Sequence, residues 1–255
     1  MQEGKRRIHM LDEIRGFAIL CMIVHHSFLD IGDVLALEWG YKVFDALCIV
    51  QPIFWMAFII ISGMCTRLSR NTVKRGFTVE AFAVVITLVT AVIMPLFGFT
   101  GAEIWFGILH CLGFCMIITG LFMPLIEKCS WKIGALVSAL LFAVTYGIDG
   151  SKRYLLFGLV KLPASLYKNN IFAPIGFYNE HFFSADYFSI LPWIFVFLFG
   201  AFLGQLAADE KLPQTMYKKR SNFLSFVGKN SLWVYIIHQP VLYVIFLIIG
   251  VFITK

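Results

Sequence analysis

The chain has 255 residues, of which 60% are hydrophobic, 16% aromatic and only 14% charged, whereas an ordinary soluble domain carries about 25% charged residues. That balance excludes a soluble globular protein and predicts an all-α, polytopic integral membrane bundle within a lipid bilayer. The net charge of +6 follows from an uneven distribution of lysine and arginine among the loops, and it calls for no nucleic-acid partner.

Apolar runs between charged breaks predict seven transmembrane helices, at about 14 to 36, 44 to 66, 79 to 98, 104 to 126, 131 to 148, 188 to 208 and 230 to 253. Lys5, Arg6 and Arg7 precede the first run as they would in a signal peptide. That run is too long and carries two histidines, so it reads as the first membrane helix. Of the 21 basic residues, fifteen fall in the N-terminus and in the loops after helices two, four and six. The positive-inside rule then puts the N-terminus in the cytoplasm and the C-terminus outside. The residues 1–255 read as one domain. Its one long connection, about 149 to 187, is external, and within it "RYLLFGLVKLPASLY" reads either as a re-entrant or interfacial helix, the favoured form, or as a loop packed on the bundle.

Ionisable groups at membrane depth are functional candidates by default, because insertion of a charge there costs about 2.5 to 3.5 kcal/mol. Arg15 and His26 stand eleven residues apart, three helical turns, so they share a face of the first helix. At a rise of roughly 1.5 Å per residue, His26 lies about 16 Å deeper than Arg15. His25 points some 80° away, by the same helical geometry of about 100° per residue, and reads as a packing or supporting histidine. His110 lies in the fourth run, in "WFGILHCLGF". His181 and Asp186 mark the outer mouth of the sixth. His238 comes two turns into the last, in "NSLWVYIIHQP", where Asn230 or Ser231 is expected to cap the start and Pro240 frees a backbone carbonyl.

Each of these has a plainer reading. The histidines can serve as hydrogen-bonding glue between helices, Arg15 as an anchor, and "GAFLG" at Gly200 and Gly204 as a packing face. The basic groups Arg67 to Arg75 and Lys218 to Arg220 read as topology determinants that are also placed to meet an anionic cytoplasmic cofactor. The six cysteines lie mostly in apolar runs without zinc-ligand spacing, and no metal is expected. Nucleophile-elbow, phosphate-loop, dinucleotide and HExxH motifs do not occur in the sequence.

The stretch "LDEIRGFAILCMIVHH" resembles the first helix of membrane-bound acyltransferases, with Leu-Asp-x-x-Arg-Gly followed by a histidine. "FIIISGM" is similar to their second-helix motif. "FGILHCLGF", "FFSADYFSILPWIFVFLFGAFLG" and "GKNSLWVYIIHQPVL" resemble the heparan-alpha-glucosaminide N-acetyltransferase catalytic-domain family, including its small bacterial members. The resemblance covers about 11 to 67, 104 to 116 and 181 to 243. It implies an enzyme of a bacterial plasma membrane that passes an acetyl group from cytoplasmic acetyl-CoA to an extracytoplasmic acceptor, typically an amino sugar or glycan. His26 falls on the acyltransferases' catalytic position and Arg15 on their arginine. The animal glucosaminide enzymes carry asparagine at the position of His26 and a histidine just after the first helix, where this chain has none.

The expected roles follow from combining residues and resemblance. His26 is the general base or acyl carrier, and His238 assists or orients it. Arg15, with Arg67, Lys74 and Arg75, meets the anionic donor. Asp12, His25, His110 and Asp186 form the candidate acceptor-binding set. A histidine-lined permeation pathway is the competing class, although the sequence offers no inverted repeat in its support. Oligomeric state, homo-oligomer included, stays open.

Overall fold

The computed structural model describes residues 6–150 and 152–253. Among the described residues, five helices are long and apolar enough to cross a membrane: His9–Asp33, Gln51–Leu68, Thr72–Leu96, Ile190–Ala208 and Ser231–Phe252. Two shorter apolar helices, Ile108–Leu121 and Trp131–Thr145, complete the seven expected runs. The protein is a helical integral membrane protein. The chain forms two compact units, one from residues up to Ile61 together with those from Leu212 onward, the other from Ser62–Lys211.

In the first unit, α1 (His9–Asp33) packs on α2 (Glu38–Cys48), on the short α8 (Asn222–Lys229) and on α9 (Ser231–Ile253). The break between α2 and α3 (Gln51–Met64) falls inside the run expected at 44 to 66. Pro52 explains it, since a proline ring clashes with the carbonyl four residues earlier and tolerates only a helix's first turn. Helices α1 and α8 approach closely. A Cβ at Gly16 would overlap the Leu224 carbonyl oxygen, and one at Gly228 would overlap that of Asp12. The buried Glu13 carboxylate accepts from Arg220 N at 2.7 Å and Ser221 N at 3.0 Å. It thereby satisfies N–H groups at the start of α8 that have no partner inside the helix. Asn230, expected as a cap for α9, turns its side-chain amide back to the Phe226 carbonyl at 2.9 Å, closing α8 instead.

In the second unit, α4 (Thr72–Thr87) continues through a π-helical turn, Leu88–Ile93, to Leu96. It begins seven residues before the expected span because the Asn71 side chain accepts from Lys74 N at 2.8 Å and caps it there. Lys74 and Arg75 therefore sit in a first helical turn, not in a loop. Helix α5 (Ile108–Leu121) lies along α4, and α6 (Trp131–Thr145) lies along α7 (Ile190–Ala208). Gly204 packs against Met64 and Arg67, so that part of the small-residue face is a contact surface.

Among the described residues of the long connection, "RYLLFGLVKLPASLY" takes the looped form and not the favoured re-entrant helix. Tyr154–Leu155 (β1) and Val160–Lys161 (β2) pair as an antiparallel hairpin, followed by 3-10 turns at Ala164–Tyr167 and Ala173–Ile175. Leu156, Phe157 and Gly158 take positive φ, which no α-helix accommodates, and Pro163 begins the next turn. The Tyr167 hydroxyl donates to the Ile148 carbonyl at 2.6 Å and ties the segment down.

Candidate active site

The glycine contact sets the register of the first unit. Ten residues on from Gly16 along α1 stands His26, and ten on from Gly228 stands His238. Two segments advancing side by side from one close contact bring the two rings together, with centroids 5.3 Å apart and planes at 52°. Both side chains are half-buried. The His238 Nδ1 donates to its own helix at the Tyr235 carbonyl, 2.5 Å away. One turn beyond His26, the buried Asp30 carboxylate accepts from Gln239 Nε2 at 2.9 and 3.2 Å. Pro240 then interrupts the hydrogen bonding of α9. Two histidines, a carboxylate and a carboxamide thus gather at two neighbouring levels of α1 and α9.

His25 points elsewhere. Its ring packs on Phe44 at 4.2 Å, and its nitrogens face Cys48 Sγ at 3.5 Å and Gln51 Nε2 at 3.3 Å. Its distance from the His26 ring is 5.9 Å. Toward the start of α1, the Arg15 Nη1 reaches the Gly228 carbonyl at 3.5 Å and Asp12 Oδ1 at 3.8 Å. Asp12 also pairs with Arg7 at 2.8 Å. The guanidinium and the histidine pair therefore lie on the same flank of α1, facing the segment that runs from α8 into α9.

The remaining candidates belong to the second unit. Arg67, 5% exposed, pairs with Glu127 at 3.3 Å, donates to Gln205 Oε1, and has Nη1 3.4 Å from Met123 Sδ. Lys74 and Arg75 are exposed. Asp186 accepts from Ile108 N at 3.2 Å, at the start of α5, where the helix dipole favours an anion. His110 is buried and stacked on Phe106 at 5.1 Å. Its Nδ1 is bonded to Glu80 at 2.6 Å and its Nε2 to Thr87 at 2.9 Å. Exposed His181 bonds through its backbone N–H to Asn179.

The model of one family, heparan-alpha-glucosaminide N-acetyltransferase, catalytic, matches residues 7–240. The chain belongs to this family. It is accordingly a membrane acetyltransferase. No curated protein and no solved structure matches the chain. The family match runs from the start of α1 through His238 and Gln239, so it takes in both sides of the histidine cluster.

Within this acetyltransferase, sequence reasoning missed Glu13, Asp30 and Gln239. Asp30 and Gln239 each adjoin a named histidine, by one helical turn and by one residue. The signal was therefore available in the spacing His26-x-x-x-Asp30. Glu13 gives no such sign, because its partners lie 207 and 208 residues away.

Proposed function

We propose that this protein moves an acetyl group from cytoplasmic acetyl-CoA to an amine or hydroxyl of a sugar or glycan on the opposite side of the membrane. The N-terminus would lie in the cytoplasm, and the two units would act as parts of one acyltransferase domain spanning 1–255. The observation that carries the reading is the His26–His238 pair, 5.3 Å between ring centres, beside the part-buried Asp30–Gln239 bond. A neutral imidazole is suited to take the proton of an attacking amine or alcohol, or to hold the acetyl group between donor and acceptor. His26 takes that role, and His238, held at Nδ1 by its own helix, orients it. Arg15 meets anionic groups of the donor at the cytoplasmic end of α1. Exposed Lys74 and Arg75 form a basic surface that draws an anionic donor toward the membrane. His25 supports the cluster from behind. Asp12 holds Arg15 in place, and Arg67, inside its own contacts, supports the basic face of the second unit. His110 and Asp186 border the acceptor's approach.

Incubation of the purified protein with radiolabelled acetyl-CoA and candidate amino sugars tests the reading. Label is expected on the sugar. Solute flux in proteoliposomes without acetyl-CoA, and no labelled sugar, would replace this reading with the permeation pathway. The Arg15→Lys variant is expected to raise the apparent KM for acetyl-CoA about tenfold, leaving that for the acceptor unchanged, since a bidentate guanidinium contact to an anion is not reproduced by an ammonium. A change confined to the acceptor would refute the donor-side assignment. Asp30→Asn replaces one carboxylate oxygen facing Gln239 with a donor. It is expected to lower kcat by about tenfold, in keeping with about 1.5 to 3 kcal/mol for a hydrogen bond to a charged group. Unchanged initial rates would remove Asp30 from the site.

A further inference from the structure

The bonds around His110 have a directionality that the acceptor-lining role does not use. Glu80 as a carboxylate only accepts, so the proton of the 2.6 Å bond belongs to His110 Nδ1. In the neutral ring, Nε2 is then an acceptor, and the Thr87 hydroxyl, 2.9 Å away, is its donor. Hydroxyl, imidazole and carboxylate thus stand in a row, with nucleophile and base in hydrogen-bond reach and the base oriented by a third group. The carboxylate packs on Gly113: a Cβ there would come within 2.7 Å of Glu80 Oε2, so a larger residue would displace the Glu80 side chain. Phe106 clamps the ring from one side, its plane within 15° of the imidazole.

Two further observations point to a substrate. Thr87 is the last residue before the π-helical turn Leu88–Ile93, a local departure from α geometry that is frequent at functional sites. An open cleft of about 770 Å³ is lined by Phe106, the ring that stacks on His110, and by Ala91, four residues beyond Thr87; Phe106 stands between it and the row. Trp105, Glu103 and His181 contribute to the same wall.

We infer that Thr87, His110 and Glu80 form a second acyl-transfer site, in which the Thr87 hydroxyl accepts an acetyl group from a thioester or activated ester and holds it as an oxygen ester. The Thr87 proton passes to His110 Nε2 as Oγ1 attacks the carbonyl carbon. A C–O bond forms, the C–S or C–O bond to the leaving group breaks, and the imidazolium returns its proton to that group, giving the free thiol or alcohol. In the second half, an acceptor amine, hydroxyl or water gives its proton to His110 and attacks the ester carbonyl. The C–O bond to Thr87 breaks, and Oγ1 recovers the proton. Glu80 is a positioning residue throughout. The inference takes its donor class from the acyl-transfer reading, but not the roles of His26 and His238.

The test uses the full chain in detergent with p-nitrophenyl acetate, and separately with acetyl-CoA, followed by acid quench and peptide mass spectrometry. Expected is a burst of p-nitrophenol approaching one per chain, with an acetyl mass on the peptide at position 87. Thr87→Val and His110→Asn should reduce the burst at least tenfold. Thr87→Ser should restore it with the label still at that position, which a merely structural role would not predict. Glu80→Gln should slow the burst and displace its pH profile. No acetyl mass at position 87 with either donor, or an undiminished burst in Thr87→Val, would overturn the inference. Sugar acetylation that depends on His26 without label at position 87 leaves the proposed function standing and removes this one. Label at that position with no sugar acetylated does the reverse.

Discussion

His26→Ala is expected to reduce acetyl transfer from acetyl-CoA to an amino sugar by about 10² to 10⁴-fold, the range that a positioned general base contributes. The loss should fall on kcat, with the donor's affinity preserved, because Arg15 is three turns from the substitution along α1. His238→Ala should cost less, about tenfold, as a group that orients another and does not itself exchange the proton. If His238→Ala proved the more damaging of the two, the roles would be exchanged, since the rings are 5.3 Å apart and either faces the other. Measurement of kcat and KM for both substrates, with each variant recovered folded from detergent, decides between these outcomes. Near wild-type transfer by His26→Ala would remove the mechanism altogether.

The second large effect is predicted from a close backbone contact and not from a change of a titratable group. Gly228→Ala places a methyl group on the Asp12 carbonyl oxygen and close to Gly16 N. Both obstacles are backbone, so neither can rotate aside, and α1 and α8 must separate. Overpacking of this kind costs about 1 to 3 kcal/mol, occasionally more. It also displaces the ten-residue register that brings His26 to His238. Both thermal stability and kcat should fall in Gly228→Ala, and Gly16→Ala should behave alike through the Leu224 carbonyl. Phe226→Ala, two positions away on an exposed face, serves as the control and should change neither. Stability equal to wild type in both glycine variants would show that the close approach is not needed.

These two effects differ in how far the sequence announces them. The seven apolar runs are legible because a membrane span needs about 20 apolar residues and few charges. The candidate pair was half legible: helical spacing gave His26 its face and depth, and counting from Asn230 gave His238 a similar depth. What spacing along one helix cannot give is lateral contact between helices, which depends on Gly16 and Gly228. Glu13 was invisible for the same reason, being a buried carboxylate whose partners are backbone N–H groups at Arg220 and Ser221. At Tyr154–Lys161 the favoured helix lost to the looped alternative, because an apolar stretch of that length suits either a helix or a pair of short strands. The tight turn decided it. The early start of α4 was legible in Asn71, a favoured capping residue, and was hidden by the basic residues that follow it.

The assembly of the first unit from both ends of the described chain has a consequence for biogenesis. Asp30 and Gln239 are 209 residues apart in sequence, so α1 enters the bilayer long before α8 and α9 emerge from the ribosome. During that interval the Asp30 carboxylate lacks its carboxamide and Glu13 its two backbone donors. Helix α1 is thus inserted with acidic groups whose partners are made 207 to 209 residues later, and its final burial coincides with the arrival of His238. Assembly of the proposed catalytic pair and packing of α1 on α9 therefore coincide in this unit: a nascent chain that has not yet delivered α9 holds an imidazole on α1 but not the second ring that it faces.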